Sequence, residues 1–500
     1  MYRLSSPPAI LPGIAATVLV WLVGRGAAAA EDFASAKALM TAWVADGTAA
    51  GHQGDVYDNR DGGHSLMKIG NFPGLQQVPY AKEEVRARGW GLQPRVLPQV
   101  TFGNSSTAGP ATQYGSHIRN AYTNPHMTAI VYQQYIGNNL YIYPEHRDHD
   151  PGPGKGGYGD LMPLNTPYLI GTQGSSGSDQ PALLAVGLAL GCFPPETKKV
   201  LAEKGLLMPT VQMLYRICQA DIASKEDYLS GKAHPTVFPT SKIHYVRLAN
   251  MAHDLKSRDV PSMVKIKVLK EDSSRPGIDY FEPGGRTEQL CDTPAAIGRV
   301  FRGRQYERKV VVSAEDSFDI NGRLRTFHWI ILRGDPARIK ITPRNPRKSE
   351  VEIIVPYSPR RPIPENPAVE SNRVDIGVFI DNGRQLSAPG FICFYSLDSE
   401  KRKYDDEGRI LEIDYNTGNF VDQRLTTPKP WRDAYRYQGG KCLGWTRHYS
   451  DGRTEQYTDD GRLERPAANG AAADSVPVQY QIGAGAKPGT QELKAVPNVL

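Results

Sequence analysis

Glu145, His146, Asp148 and His149 lie side by side in Pro144-Glu-His-Arg-Asp-His-Asp-Pro151. Imidazole nitrogen and carboxylate oxygen are the donors that zinc-like divalent ions accept, so a strand end that turns here could wrap them around one ion. Glu145 beside such an ion could act as a general base in hydrolysis. The competing reading is a polar loop whose histidines and aspartates pair with Arg147 and the backbone. Upstream, Asp55-Val-Tyr-Asp-Asn-Arg-Asp-Gly-Gly-His64 repeats aspartate at every third residue. That spacing could gather oxygens for calcium in a Gly-rich turn, although it does not match the EF-hand loop. Asx-turns paired with Arg60 account for the same residues. Asp58 and His64 could also complete a shell around His146 and His149. A divalent metal, zinc or calcium, is the cofactor these clusters would take, and neither cluster firmly implies one.

A third polar stretch, Tyr168-Leu-Ile-Gly-Thr-Gln-Gly-Ser-Ser-Gly-Ser-Asp-Gln180, reads as strand, Ser/Gly loop and helix start. Backbone amides at a helix start favour anions, which nominates Ser175, Ser176 and Asp179 as ligand-binding residues. No Gly-Lys-Ser/Thr follows, so this is not a phosphate-binding P-loop. Nor is it the Gly-x-Ser-x-Gly nucleophile elbow, because Ser178 stands where the second glycine belongs when Ser176 is the nucleophile. His146-Arg147-Asp148-His149 resembles the second half of the His-x-His-x-Asp-His motif of metallo-β-lactamase-type hydrolases. Pro144 occupies the place of that motif's first histidine and cannot ligate, so fold and activity do not carry over.

These residues need elements to hold them. Phe33, Ala36, Met40 and Trp43 recur at helical spacing, and Gly47 can end that helix. Thr128–Ile136 and Leu140–Tyr143, joined by Gly137-Asn138-Asn139, read as a β-hairpin. Ser178 or Asp179 can cap a helix that Pro181 helps to start, with further helices over Glu196–Lys204 and Pro209–Gln219. Residues 31–260 are therefore expected to pack as one α+β domain of mixed strands and helices.

From Met263 the text turns to strands: Val264–Leu269, Lys309–Val312, Val351–Val355, Val374–Ile380 and Phe391–Tyr395. Asp319-Ile-Asn-Gly322 and Asp381-Asn-Gly383 are turn chemistry, and Leu324–Trp329 alternates at strand period. Residues 308–395 resemble a polycystic-kidney-disease (PKD) type immunoglobulin-like module, which implies a β-sandwich spacer or binding unit over 261–396. The Pro/Arg-rich stretch 338–370 departs from that pattern. Beyond it, Tyr404-Asp-Asp-Glu-Gly-Arg, Tyr449-Ser-Asp-Gly-Arg and Tyr457-Thr-Asp-Asp-Gly-Arg share one hairpin logic, with Tyr437-Gln-Gly-Gly as a looser copy. They resemble the tyrosine-aspartate (YD) repeats of bacterial surface proteins and imply a hairpin meander over 397–465. The Ala/Gly/Pro-rich run 466–500 reads as a disordered tail. Fold class is thus multidomain α+β: an N-terminal domain, an immunoglobulin-like β-sandwich and a C-terminal β-hairpin meander, each expected to pack separately.

Arg3, the apolar run Ile10–Val23 and the small residues Ala27–Ala30 have the layout of a signal peptide over 1–30, cleaved before Glu31. Pro12 and Gly13 interrupt the apolar run and weaken the rival reading, an uncleaved anchor. Secretion to the periplasm or cell surface is therefore expected, with no membrane span after cleavage. Five cysteines, Cys192, Cys218, Cys291, Cys393 and Cys442, are too few and odd in number for a disulfide framework. A net charge of +6 is mild, and Arg360-Arg361 and Lys401-Arg402-Lys403 are too short to clamp nucleic acid. The sequence thus points to a cell-envelope binding or structural protein that engages a glycan or other polar polymer through its N-terminal domain. A metal-dependent hydrolase of an extracellular polymer is the alternative.

Overall fold

The computed structural model describes residues 13–60, 65–78, 83, 96–105, 117–145, 162–174, 177–283, 288–363, 366–417, 421–422, 424–465, 474–485 and 490–498. Helix α1 (Gly13–Ala45) buries Ala36 and Met40 and packs Phe33 and Trp43 on the core, as their spacing requires. It stops before Gly47, whose φ of +71° only glycine adopts without strain. The chain then forms β1 (Val56–Asn59), β2 (Gln76–Val78), β3 (Thr101–Asn104), α2 (His117–Tyr122), α3 (Pro125–Ile136), β4 (Asn139–Glu145) and β5 (Leu169–Gln173). Helices α4 (Gln180–Cys192), α5 (Pro195–Glu203) and α6 (Leu207–Ile217), strand β6 (Val237–Phe238) and helix α7 (Tyr245–Asp254) complete the first part. Its sheet runs β2-β1-β3-β4-β5-β6 with every neighbour parallel. A parallel sheet is covered by helices on both faces, which is why β1, β3 and β4 are buried at every residue.

The expected hairpin at Thr128–Ile136 is a helix. Its β-branched and aromatic residues favour a strand, but Asn124 caps the turn by accepting from the His126 and Met127 amides at 3.0 and 3.3 Å, and Pro125 stands at the first helical position. Asn138, at φ +64°, then redirects the chain into β4. The Gly-Asn-Asn triplet that looked like a hairpin turn is a helix-to-strand junction.

The second part is a two-sheet sandwich. Its strands are β7 (Lys267–Glu271), β8 (Gln289–Thr293), β9 (Ala296–Phe301), β10 (Glu307–Ser313), β11 (Thr326–Arg333), β12 (Lys340–Pro343), β13 (Glu350–Pro356), the ribbon β14 (Arg361–Ile363) and β15 (Asn366–Ser371), then β16 (Val374–Asp381) and β17 (Gly390–Ser396). One sheet runs β12-β13-β10-β7, the other β11-β16-β17-β9-β8. The Pro/Arg-rich stretch thus supplies β12 and the inner strand β13. Asp319–Gly322 is a turn, with the Asn321 amide donating to Asp319 Oδ1 at 2.9 Å, but it joins strands of opposite sheets. Asp319 Oδ2 is pinned there by Ser262 and Asn382, which leaves Leu324 outside the strand and 95% exposed.

The sandwich does not pack separately. Phe379, Phe391, Cys393 and Tyr395 share one apolar cluster with Leu140 and Val186 of the first part. Arg373, itself paired with Asp375, crosses the seam to the Met162 carbonyl at 2.7 Å and Thr236 Oγ1 at 2.6 Å. At the same seam Arg216 Nη1 donates to His234 Nδ1 at 3.3 Å, so the ring proton sits on Nε2, which donates to the Tyr228 carbonyl at 2.5 Å.

The third part is a seven-stranded antiparallel meander: β18 (Lys401–Tyr404), β19 (Ile410–Asp414), β20 (Trp431–Gln438), β21 (Lys441–Tyr449), β22 (Thr454–Thr458), β23 (Leu463–Arg465) and β24 (Asp474–Val476). Its Asp-Gly-Arg turns work alike. Glycines 408, 452 and 461 take positive φ, and Arg409 and Arg453 reach back to Asp405 and Asp451 at 2.7 and 2.8 Å. Beyond it, β25 (Val478–Ala484) and β26 (Gln491–Pro497) form a hairpin that buries Tyr480 and Leu493 against this sheet. Residues read as a loose tail therefore contribute apolar anchors to a core. Arg447 and Asp433 form a fully buried bidentate pair at 2.8 Å for both bonds, with the guanidinium 4.2 Å from the Trp431 ring centroid. All five cysteines are free.

Two outcomes follow from these contacts. Asp433→Ala strands the Arg447 charge in an aromatic core and costs about 3–5 kcal/mol in chemical denaturation. His234 is held neutral, well below its ordinary 6.5, first by burial and then by the Arg216 charge. A depressed histidine contributes stability above the unfolded value and loses it as the pH falls below 6.5. Melting temperatures measured from neutral pH downward should drop, and His234→Gln should make that slope shallower.

Candidate functional site

In a sheet ordered β2-β1-β3, the chain leaves β1 towards β2 on one side and builds the remaining strands on the other. The crevice at the carboxyl ends of β1 and β3 is therefore the switch point where ligands bind in open parallel sheets. β1 brings Asp58, Asn59 and then Arg60 to this edge. β3 brings Asn104 and then Ser105, with Asn59 and Asn104 in register. The two backbones approach closely at Gly103, where an added Cβ would stand 2.0 Å from the Asp58 carbonyl oxygen.

Two hydrogen-bonded chains organise this edge. Arg60 Nε donates to Asp58 Oδ2 at 2.9 Å, Tyr141 from β4 donates to the same oxygen at 2.5 Å, and Arg60 Nη2 donates to the Tyr141 hydroxyl at 2.5 Å. Burial and the neighbouring carboxylate keep the Tyr141 hydroxyl protonated, raising its pKa well above the ordinary value, against the opposing pull of Arg60. In the second chain, Tyr57 donates to Asn104 Oδ1 at 3.1 Å, and Asn104 Nδ2 donates to Asp179 Oδ2 at 2.8 Å. Ser65, in a left-handed conformation at φ +51°, accepts from the Gly177 amide at 2.6 Å and ties the loop after β1 to the loop before α4. Asp179 stands at the cap position of α4 without capping it, since its carboxyl turns to Asn104 instead. Burial raises its pKa, opposed by hydrogen bonds from Ser65 and Asn104. Among the described residues, Asp58 Oδ1, Asp179 Oδ1 and Ser105 Oγ are buried without a hydrogen-bond partner.

Of the residues singled out by sequence, Asp58, Glu145 and Asp179 reach this end of the sheet. Glu145 ends β4, in register with Gln173 of β5, and is buried. His64, His146, Asp148, His149, Ser175 and Ser176 lie outside the described residues. Asp55 does not join Asp58. An odd separation along a strand sends side chains to opposite faces, and Asp55 pairs with Lys198 at 2.7 Å and with His52 at 2.9 Å. The three-residue aspartate spacing is therefore not one cation shell. Among the described residues no group of three or more His, Cys, Asp or Glu is placed to hold a metal ion. Arg60 pairs with Asp58 as expected, but its amide donates to the Asn104 carbonyl at 2.9 Å, so the pairing is made from a strand and not from an Asx-turn. Asn104 and Ser105 were not singled out: they end and follow a short strand, and that position on a parallel strand was their only signal.

No protein-family profile matches the chain, and no curated protein matches it. Among solved structures, it is similar to a nucleoside hydrolase-related hypothetical protein from Saccharophagus degradans that is associated with carbohydrate metabolism. Identity is 8%, the match covers 61% of this chain and 72% of that one, and the TM-score is 0.20. A superposition this loose carries no argument about this chain. Among the described residues no helix is long and apolar enough to cross a membrane.

Gly103→Ala should separate β1 from β3, because the clash is with backbone rather than with a side chain that can move. The variant is expected to lose about 2 kcal/mol or more of stability, on the scale of overpacked sites. Thermal unfolding checks it, with Gly70→Ala, which meets nothing within 4 Å, as the milder comparison.

Proposed function

We propose that the first part binds a polar, hydroxyl-rich ligand, a glycan or similar envelope polymer, at the carboxyl end of its parallel sheet. The supporting observation is that Asp58 and Asp179, on opposite faces of the sheet at its carboxyl end, each leave one buried oxygen without a hydrogen-bond partner. Buried acceptors without donors are costly, and ligand hydroxyls are the donors that would satisfy them. On this reading the protein is exported through its N-terminal leader, and the two β-rich parts hold the binding part in a fixed orientation.

The same unspent oxygens support a second reading, hydrolysis assisted by a divalent ion, because such ions also take carboxylate oxygen. Glu145 then lies nearest in sequence to His146, Asp148 and His149. Calorimetry against a panel of glycan and peptidoglycan fragments tests the first reading. Binding tighter than millimolar that weakens about tenfold in Asp58→Asn, equivalent to about 1.4 kcal/mol, is the expected result. Dissociation constants beyond millimolar across the panel overturn it. Elemental analysis of protein purified without chelator separates the two. Stoichiometric metal that disappears in the His146→Ala/His149→Ala double variant selects the hydrolase.

A further inference from the structure

Four strands of the C-terminal meander set Asp414, Arg432, His448 and Thr454 side by side in one cross-strand row. All four line a pocket of about 340 Å³, together with Asn416 and Trp431. Like positions on neighbouring strands face the same side of a sheet, so the row forms one polar surface rather than four separate side chains.

The hydrogen-bond balance of this pocket favours an acceptor-rich ligand. The His448 side chain is half-buried and makes no hydrogen bond among the described residues. Arg432 is half-exposed and meets only Glu412, at 3.1 Å, a carboxylate it shares with Lys403. Two donors are therefore unspent or shared. On the acceptor side, Asp414 Oδ1 receives only the Asn416 amide.

We propose that this pocket is a binding site for an acidic saccharide, a sugar unit carrying a carboxylate such as a uronic acid. Arg432 and His448 receive the carboxylate, and Asp414 and Asn416 take ring hydroxyls. The site is separate from the parallel-sheet crevice and does not depend on the reading given for it. The chain's net charge of +6 favours acidic polymers in the same direction.

The test is calorimetric titration of the full-length protein with oligogalacturonate and with a neutral oligomer of glucose. The acidic oligomer should bind about tenfold or more tightly than the neutral one, and Arg432→Gln and His448→Ala should each weaken it about tenfold. Both substitutions lie on a solvated face, and unchanged melting temperatures confirm that the sheet is intact. The His448 imidazole proton signals should also shift during titration of the unaltered protein, a readout that no variant can confound. Asp58→Asn distinguishes the two sites. Oligogalacturonate binding that vanishes in Asp58→Asn but survives Arg432→Gln overturns the proposal, as does equal affinity for the neutral oligomer or no binding at millimolar concentration.

Discussion

The inner strands of the sheet β11-β16-β17-β9-β8 are buried on both faces, and the rest of the molecule is arranged around that constraint. Alternation along its two central strands divides their side chains between two interiors. Val374, Ile376, Val378 and Ile380 of β16, with Ile392 and Phe394 of β17, fill the sandwich. Phe379, Phe391, Cys393 and Tyr395 point the other way, into the cluster built by the N-terminal helices. A sheet with one solvated face would show polar residues at every second place. Here Val-Asp-Ile-Gly-Val-Phe-Ile and Gly-Phe-Ile-Cys-Phe-Tyr have no solvent face to serve. Asp375, which faces this seam, is neutralised by Arg373, which also bonds the first part's backbone at Met162.

This explains which features of the fold could be read from sequence. Local chemistry was legible: the Asp-Gly-Arg turns of the meander, Gly47 and Gly205 at positive φ, and the helices from Gln180 to Ile217 follow residue types directly. Contacts made across the chain were not. A strand buried on both sides and a strand in an isolated spacer module look alike in a short apolar run, so the seam was invisible. The Thr128–Ile136 helix was hidden for the opposite reason: its interior favours strand, and only the Asn124-Pro125 start decides otherwise. Tyr480 and Leu493 were masked by the Ala/Gly/Pro-rich composition around them, although two anchors are enough to dock a hairpin on an existing aromatic core.

The candidate site divides along the same line. Asp58 stood out because aspartates are conspicuous, but the three-residue spacing that drew attention to it is an accident of a strand, where it separates side chains instead of gathering them. The partners that define the site, Tyr141 and Asn104, come from β4 and β3 and meet Asp58 and Asp179 only through strand order. Strand order depends on crossovers that leave no local mark. Once the order 2-1-3 is known, Asn104 and Ser105 become obvious, because they end the strand on the far side of the switch point.

The three parts are also tied to one another beyond the seam. Arg119 of α2, completely buried, pairs with Asp422 of the C-terminal part, and Leu425 from the same segment joins the N-terminal apolar cluster. Arg302 of the sandwich reaches the Leu425 carbonyl, and buried Lys429 meets Glu282 at 2.6 Å. Opening any of these junctions would strand a buried charge, which is far costlier than parting an apolar contact of the same size. The two surfaces proposed to bind ligands, on parts joined this way, would keep a constant separation. A polymer long enough to reach both would gain effective concentration without the entropy loss of ordering a linker, whereas a shorter one would gain nothing from the second surface.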